Sequence, residues 1–296
     1  MGAKLDPRLT EWSYEERHAG PTERMCDTHI HWDGDPKNLK MLSAAREANN
    51  IEYMFMIAGR NADQHEWIKA VDAEFGIGKH AIPYFMLDLN SNDPAQVNRA
   101  YDLGFWGLKW IGTQIPLDDR WYDPLLKRAN DLNMANLYHV GVLAGGRTGS
   151  GMSLQRADML DTVSKRYPDM LIQGGHLGEP NINEAFWACE FGDNLIWDCS
   201  GGCRFQCDAD PTILYAAMHR RKSAWDVITF ASDCSQGIYP PEWADGWKSK
   251  IDHRMCEWHD ILSRLPETPT TEQLDAMFHG NAARWVARIK EQRGVE

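Results

Sequence analysis

Two histidines stand two residues apart in Met25-Cys26-Asp27-Thr28-His29-Ile30-His31-Trp32. On a strand successive side chains alternate faces, so residues i and i+2 project to the same side. The spacing aims the His29 and His31 imidazoles at one point, and Gly34-Asp35-Pro36 behind them reads as a turn. A strand end offering two nitrogen donors suits zinc and its first-row neighbours. The pair gains meaning if later segments bring more polar groups to the same place. Four further residues are candidates: Lys109 in FWGLKWI, His139 in LYHVG, His176 in GGHLG and Asp233 in FASDC. Each lies on or just beyond an apolar segment, where a buried polar group must find a partner.

The elements that must position them alternate along the chain. Apolar runs at Cys26 to His31, Ile51 to Ala58, Ala81 to Leu87, Phe105 to Ile111, Ala135 to Val140, Met170 to His176, Leu195 to Cys199 and Val227 to Ser232 read as eight strands. Near-continuous apolar runs of this kind belong to parallel sheets buried on both faces. Between them fall helical segments: Asn38 to Asn49, Gln64 to Phe75, Asp93 to Leu103 with Asp93 as cap, Pro124 to Leu132, Gln155 to Arg166, Ile182 to Phe191 and Pro211 to Arg220. The tail is helical over Trp247 to Leu265 and Thr271 to Gln292, the latter opening on a capping box in which Thr270 or Thr271 precedes Glu272. No glycine-rich dinucleotide fingerprint follows the first strand. Eight β/α units close most naturally into a single-domain (β/α)8 TIM barrel, here residues 25–296 behind an N-terminal arm at residues 1–24. Such barrels carry their chemistry at the C-terminal ends of the strands, where all six candidate side chains fall.

Bulk properties agree. The 296 residues suffice for one large domain, and 43% apolar with 25% charged residues is the balance of a globular protein. A net charge of −12 argues against a nucleic-acid partner. No apolar run approaches the ~20 residues needed to span a bilayer. Seven scattered cysteines without a secretory signal point to a reducing, cytoplasmic setting.

Taken together, Asp27-Thr28-His29-Ile30-His31, His139, Gly175-His176-Leu177-Gly178, Ser232-Asp233 and the late Gly280-Asn281-Ala282-Ala283-Arg284 resemble the amidohydrolase superfamily. They are closest to its amidohydrolase-related group, which includes aminocarboxymuconate-semialdehyde decarboxylase and several lactone hydrolases. The resemblance runs from Asp27 to Trp285. It implies that His29, His31, His139 and Asp233 bind one divalent metal, usually Zn2+, with Mn2+ or Fe2+ as alternatives. It implies that His176 activates water or donates a proton, with Asp233 sharing in proton transfer. Lys109 matches either a carboxylated, metal-bridging lysine of some branches or a residue that binds an anionic substrate. The resemblance also implies a homodimer.

Substrate contacts are read from position. Arg60 follows strand two and can grip a carboxylate, while Trp32 and Trp110 are candidate pocket walls and Arg156 and Arg204 weaker anion contacts. Glu179 is a candidate for orienting a ligand. Cys199, Cys203 and Cys207 lack the usual structural zinc spacing and read as ordinary thiols, and His253 and His259 read as solvent-facing. The expected activity is metal-dependent hydrolysis of a small organic acid derivative, such as a lactone or other cyclic ester or amide. The alternative is nonoxidative decarboxylation of an aromatic or unsaturated acid; a noncatalytic binding barrel would require a missing ligand.

Overall fold

The computed structural model describes residues 24–143, 150–200, 216–220, 222–234, 265–267 and 269–295. The arm (but for Arg24), Arg204, Cys203, Cys207, His253, His259 and most of the helices expected at Pro211 to Arg220 and Trp247 to Leu265 lie outside these residues.

Eight strands form one parallel sheet in sequential order. They are β1 (Met25–Trp32), β2 (Ile51–Ala58), β3 (Ala81–Met86), β4 (Gly107–Trp110), β5 (Ala135–Tyr138), β6 (Ile172–Gly174), β7 (Leu195–Asp198) and β8 (Ile228–Thr229). The chain after β8 closes the ring on β1: Thr28 N–H donates to Phe230 O at 3.1 Å and His31 N–H to Cys234 O at 2.8 Å. The protein is a (β/α)8 barrel. Strands six and eight are shorter than their apolar runs, because the backbone leaves the sheet to aim His176 and Asp233.

Helices α1 (Pro36–Ala48), α2 (Gln64–Phe75), α3 (Ala95–Asp102), α4 (Asp123–Asp131), α5 (Ala157–Arg166), α6 (Ile182–Ala188) and α7 (Ala224–Val227) fall between strands. The Asp35 and Asp63 side chains cap α1 and α2, and Asp93 Oδ1 accepts from Ala95 N–H at the start of α3. Leu39, Leu42 and Ala45 of α1 are buried, as their spacing of three demands of a face on the sheet.

The tail helix is continuous through a π turn at Ala276–Gly280, which joins α8 (Thr271–Asp275) to α9 (Asn281–Arg293). Its capping box pairs Thr270 with Gln273 rather than Glu272. Helix α9 crosses the N-terminal mouth. Its Trp285, Val286 and Ile289 share one apolar cluster with Phe55, Ile57, Tyr84, Leu137, Leu171 and Ile196 from inside the barrel. Asn281 Nδ2 donates to Trp225 O and Ile228 O, and Gln292 bonds the loops that precede β5 and β6. With that end plugged, polar chemistry is left to the C-terminal mouth. No helix among the described residues is long and apolar enough to cross a membrane.

Candidate active site

Alternation along β1 turns His29 and His31 inward and Ile30 and Trp32 outward. The two Nε2 atoms lie 3.2 Å apart. Asp233 Oδ1 lies 3.4 Å from His31 Nε2 and 3.6 Å from His29 Nε2, across the seam between β8 and β1. Lys109, fully buried on β4, places Nζ 2.9 Å from His29 Nε2. His139, one residue beyond β5, meets His176 at 2.9 Å through Nδ1 and Nε2. The His176 ring in turn lies 5.2 Å from that of His29, centroid to centroid. All six polar residues singled out by position therefore meet at one mouth.

His176 and Asp233 both adopt left-handed backbone, with φ of 61° and 48°. Such conformations cost a non-glycine residue about 1 kcal/mol or more and persist only where the surroundings impose them. Here they swing each side chain off its strand end and into the mouth. A neighbouring close approach requires glycine: a Cβ on Gly141 would stand 1.7 Å from Glu179 O.

A proton count tests whether these residues fit a metal. A neutral imidazole has one N–H. His29 Nδ1 faces Asp198 Oδ2 at 3.0 Å, His176 Nδ1 faces Ser200 O at 3.0 Å, and His139 Nε2 faces Val142 O at 3.1 Å. Each partner accepts only, so each ring places its proton outward; the tautomers are assigned from these partners. The inner nitrogens, His29 Nε2, His176 Nε2 and His139 Nδ1, are left as lone pairs. The His176 and His139 lone pairs then face each other at 2.9 Å with no ring proton between them, while His29 Nε2 is met by the Lys109 ammonium beside a carboxylate. A cation satisfies them. Imidazole nitrogens with one carboxylate suit a divalent first-row ion, and His29, His31 and Asp233 lie close enough together to share one, with His139 joined to them through His176.

The electrostatics point the same way. Burial, reinforced by the charge of Lys109, pushes His29 down to about 4. Burial also lowers His31 and holds His139 well below its ordinary value. Burial alone would raise the Asp233 carboxyl, but its interactions with the His29 and His31 rings hold it well below the usual range. Neutral imidazoles and an ionised carboxylate are the forms that bind metal.

A second histidine–carboxylate cluster, His29, His176 and Asp198, also has metal-like spacing. The Ser200 hydroxyl occupies its middle, 3.0 Å from His29 Nδ1, 2.9 Å from His176 Nδ1 and 2.5 Å from Asp198 Oδ1. That cluster is a hydrogen-bonded support.

Other expectations are corrected. Trp110 points away from the barrel interior: it stacks on Tyr138 and its Nε1 donates to Asn136 Oδ1 at 2.8 Å. Trp32 likewise packs on Trp67 of α2 and donates to Asp35 O. Neither is a pocket wall, because one residue of register puts a side chain on the opposite face. Arg60 is exposed in the turn after β2 and takes no part in the site's hydrogen bonds among the described residues. Arg156 is engaged by Asp158 and Glu184. The carboxylate that holds a site histidine is Asp198, while Glu179 is buried in the turn behind His176. Asp198 is the one charged residue of the Leu195–Asp198 strand, a signal of the same kind as Lys109 on its own.

The family model described as amidohydrolase matches residues 95–288. The chain belongs to this amidohydrolase family. Solved structures similar to this family member share its fold. An uncharacterized TIM-barrel protein of Bordetella bronchiseptica is 17% identical, with 90% of this chain and 99% of that chain covered at a TM-score of 0.64. A putative amidohydrolase of Staphylococcus aureus is 14% identical, with coverage of 89% and 99% and a TM-score of 0.55. The 5-carboxyvanillate decarboxylase of Novosphingobium aromaticivorans, complexed with manganese and a hydroxymethoxynitrobenzoic acid, is 11% identical, with coverage of 90% and 97% and a TM-score of 0.56. No curated protein matches the chain.

Proposed function

We propose that this family member is a metal-dependent hydrolase of a small anionic organic acid derivative, a lactone or other cyclic ester or amide. His29, His31, His139 and Asp233 would hold one divalent ion, Zn2+ being the ion best suited to the donor set. When bound, such an ion supplies Lewis acidity, polarising a carbonyl and lowering the pKa of water to about 7. His29 Nε2 and His31 Nε2 contribute neutral lone pairs, and Asp233 Oδ1 contributes charge beside them. His176 Nε2 takes the proton from attacking water and returns it to the leaving oxygen or nitrogen. Lys109 offsets negative charge at the floor of the site, next to His29.

The observation that carries this reading is the 3.0 Å contact of His176 Nδ1 with the carbonyl Ser200 O, an acceptor that assigns the ring proton to Nδ1. With Nδ1–H given to Ser200 O, Nε2 starts as a base. Hydrolysis needs a base first. Decarboxylation needs an acid to protonate the carbanion, and is the second reading; the manganese-containing decarboxylase with the same fold keeps it in view.

The experiment is metal analysis of the purified chain followed by product analysis on lactones and on aromatic acids. A ring-opened acid supports hydrolysis, released CO2 supports the second reading, and absence of stoichiometric metal with full function in His29→Ala refutes both. A reducing, cytoplasmic setting is part of the same reading. The homodimer is checked by light scattering.

A further inference from the structure

Asp198 receives an unusual concentration of donors for a side chain in a barrel interior. Oδ1 accepts from the backbone N–H of His176 at 3.0 Å, the backbone N–H of Ser200 at 3.1 Å and the Ser200 hydroxyl at 2.5 Å. Oδ2 accepts from His29 Nδ1–H at 3.0 Å and from Gln173 Nε2 at 2.8 Å. Asp198, Ser200 and Gln173 are all fully buried.

The Ser200 hydroxyl has one proton, and the ionised carboxylate at 2.5 Å takes it. Its oxygen must therefore accept from its other two neighbours, His29 Nδ1 and His176 Nδ1. Ser200 O adds a second acceptor for the His176 proton. One buried carboxylate thus dictates the direction of every bond in the group. No arrangement that keeps Asp198 ionised leaves either Nδ1 without its proton.

We propose that Asp198, acting through Ser200, is the positioning residue that locks His29 and His176 together as Nδ1–H tautomers, presenting the ligand lone pair of one and the basic lone pair of the other to the same point. The proposal rests on the metal-site reading for its consequence, though the tautomer lock itself does not. A carboxylate that orients one metal-bound histidine is a common arrangement. Here the serine extends it, so the ligand and the base share one support, and neither can be retuned alone.

Asp198→Asn is the discriminating variant. Two of the donors at Oδ1 are backbone amides that cannot turn, so the asparagine oxygen stays there. Its Nδ2 is then turned toward His29 Nδ1, so the Nδ1–H form meets a donor and keeps only the Ser200 hydroxyl oxygen as acceptor, which favours the form in which Nδ1 accepts. The ring proton is drawn to Nε2 against the Lys109 ammonium 2.9 Å away, and the lone pair aimed at the site is lost.

Two measurements test this. Nitrogen-15 NMR of the metal-free chain labelled at histidine reads each tautomer: in the unsubstituted protein His29 and His176 are expected as Nδ1–H, and either ring found as Nε2–H overturns the proposal. Competition of Zn2+ with a chromogenic chelator reads affinity: D198N is expected to bind Zn2+ about 10- to 100-fold more weakly, with His29 shifted to Nε2–H. A merely structural aspartate would lower the thermal midpoint and leave the His29 tautomer unchanged, and that result, or affinity retained within about threefold, overturns the proposal. If D198N does not fold, the tautomers of the unsubstituted chain decide. An unsubstituted chain that binds no Zn2+ counts against the metal reading alone, since the NMR result stands apart from it.

Discussion

Asp27 lies beneath the histidine pair with no exposed surface. Its Oδ1 accepts from Ser232 N–H at 3.0 Å and His29 N–H at 3.3 Å, while Oδ2 is buried without a hydrogen-bond partner among the described residues. Burial outweighs those bonds and pushes the carboxyl up from 3.8 to about 7. Between these values the native chain holds a proton that the unfolded chain has released. The stabilisation this group contributes is present in full below the unfolded value and is lost as pH rises through about 7. At about 1.4 kcal/mol per pH unit, the interval from about pH 5 to about pH 7 amounts to about 3 kcal/mol as an upper bound.

Asp27→Asn removes the titration and keeps the shape. The asparagine oxygen can still accept from Ser232 and His29. Its Nδ2 inherits the partnerless position at a pH-independent cost of about 1–3 kcal/mol. Comparing the variant with the unsubstituted chain across pH cancels that cost. Urea unfolding of both metal-free proteins between about pH 5 and about pH 9 is the assay. The stability of D27N relative to the unsubstituted chain is expected to improve by up to about 3 kcal/mol over that range. Parallel stability curves, with a constant offset, would refute the reasoning.

Other outcomes follow from the geometry. His176→Gln should lower kcat by about 10²–10⁴ while metal content is retained, because it removes a base and no expected ligand; a matched loss of metal would place His176 among the ligands instead. Trp110→Phe should cost about 1–3 kcal/mol in denaturant unfolding by orphaning Asn136 Oδ1, with KM unchanged, as suits a side chain on the outer face. Gly174→Ala places a Cβ 2.1 Å from the Trp197 ring and should destabilise by about 1–3 kcal/mol, read as a lower thermal midpoint.

The repeating apolar runs made the barrel legible in the sequence, since parallel strands buried on both faces leave little room for polar residues. For the same reason His29, His31, Lys109, His139, His176 and Asp233 stood out: each interrupts or ends such a run. Asp198 breaks the pattern in the same way, but a lone aspartate in a strand has no metal-ligand spacing partner nearby to mark its role. Ser200 is a local neighbour, but His29 reaches Asp198 only when the barrel closes and brings β1 and β7 to one interior. Trp32 and Trp110 end their strands on the outer face because alternation sets each opposite its inward neighbour, His31 or Lys109.

What the sequence determined by itself was the order of elements and the kinds of group available at the strand ends, both of which follow from local periodicity. Tertiary structure decided how those groups meet. It set which nitrogen of each imidazole faces inward, because the acceptors that hold the outer nitrogens, Asp198, Ser200 O and Val142 O, belong to other turns of the chain or to backbone that only folding positions. A hydrogen bond is directional and short, so its partner is fixed by closure of the barrel and not by distance along the chain.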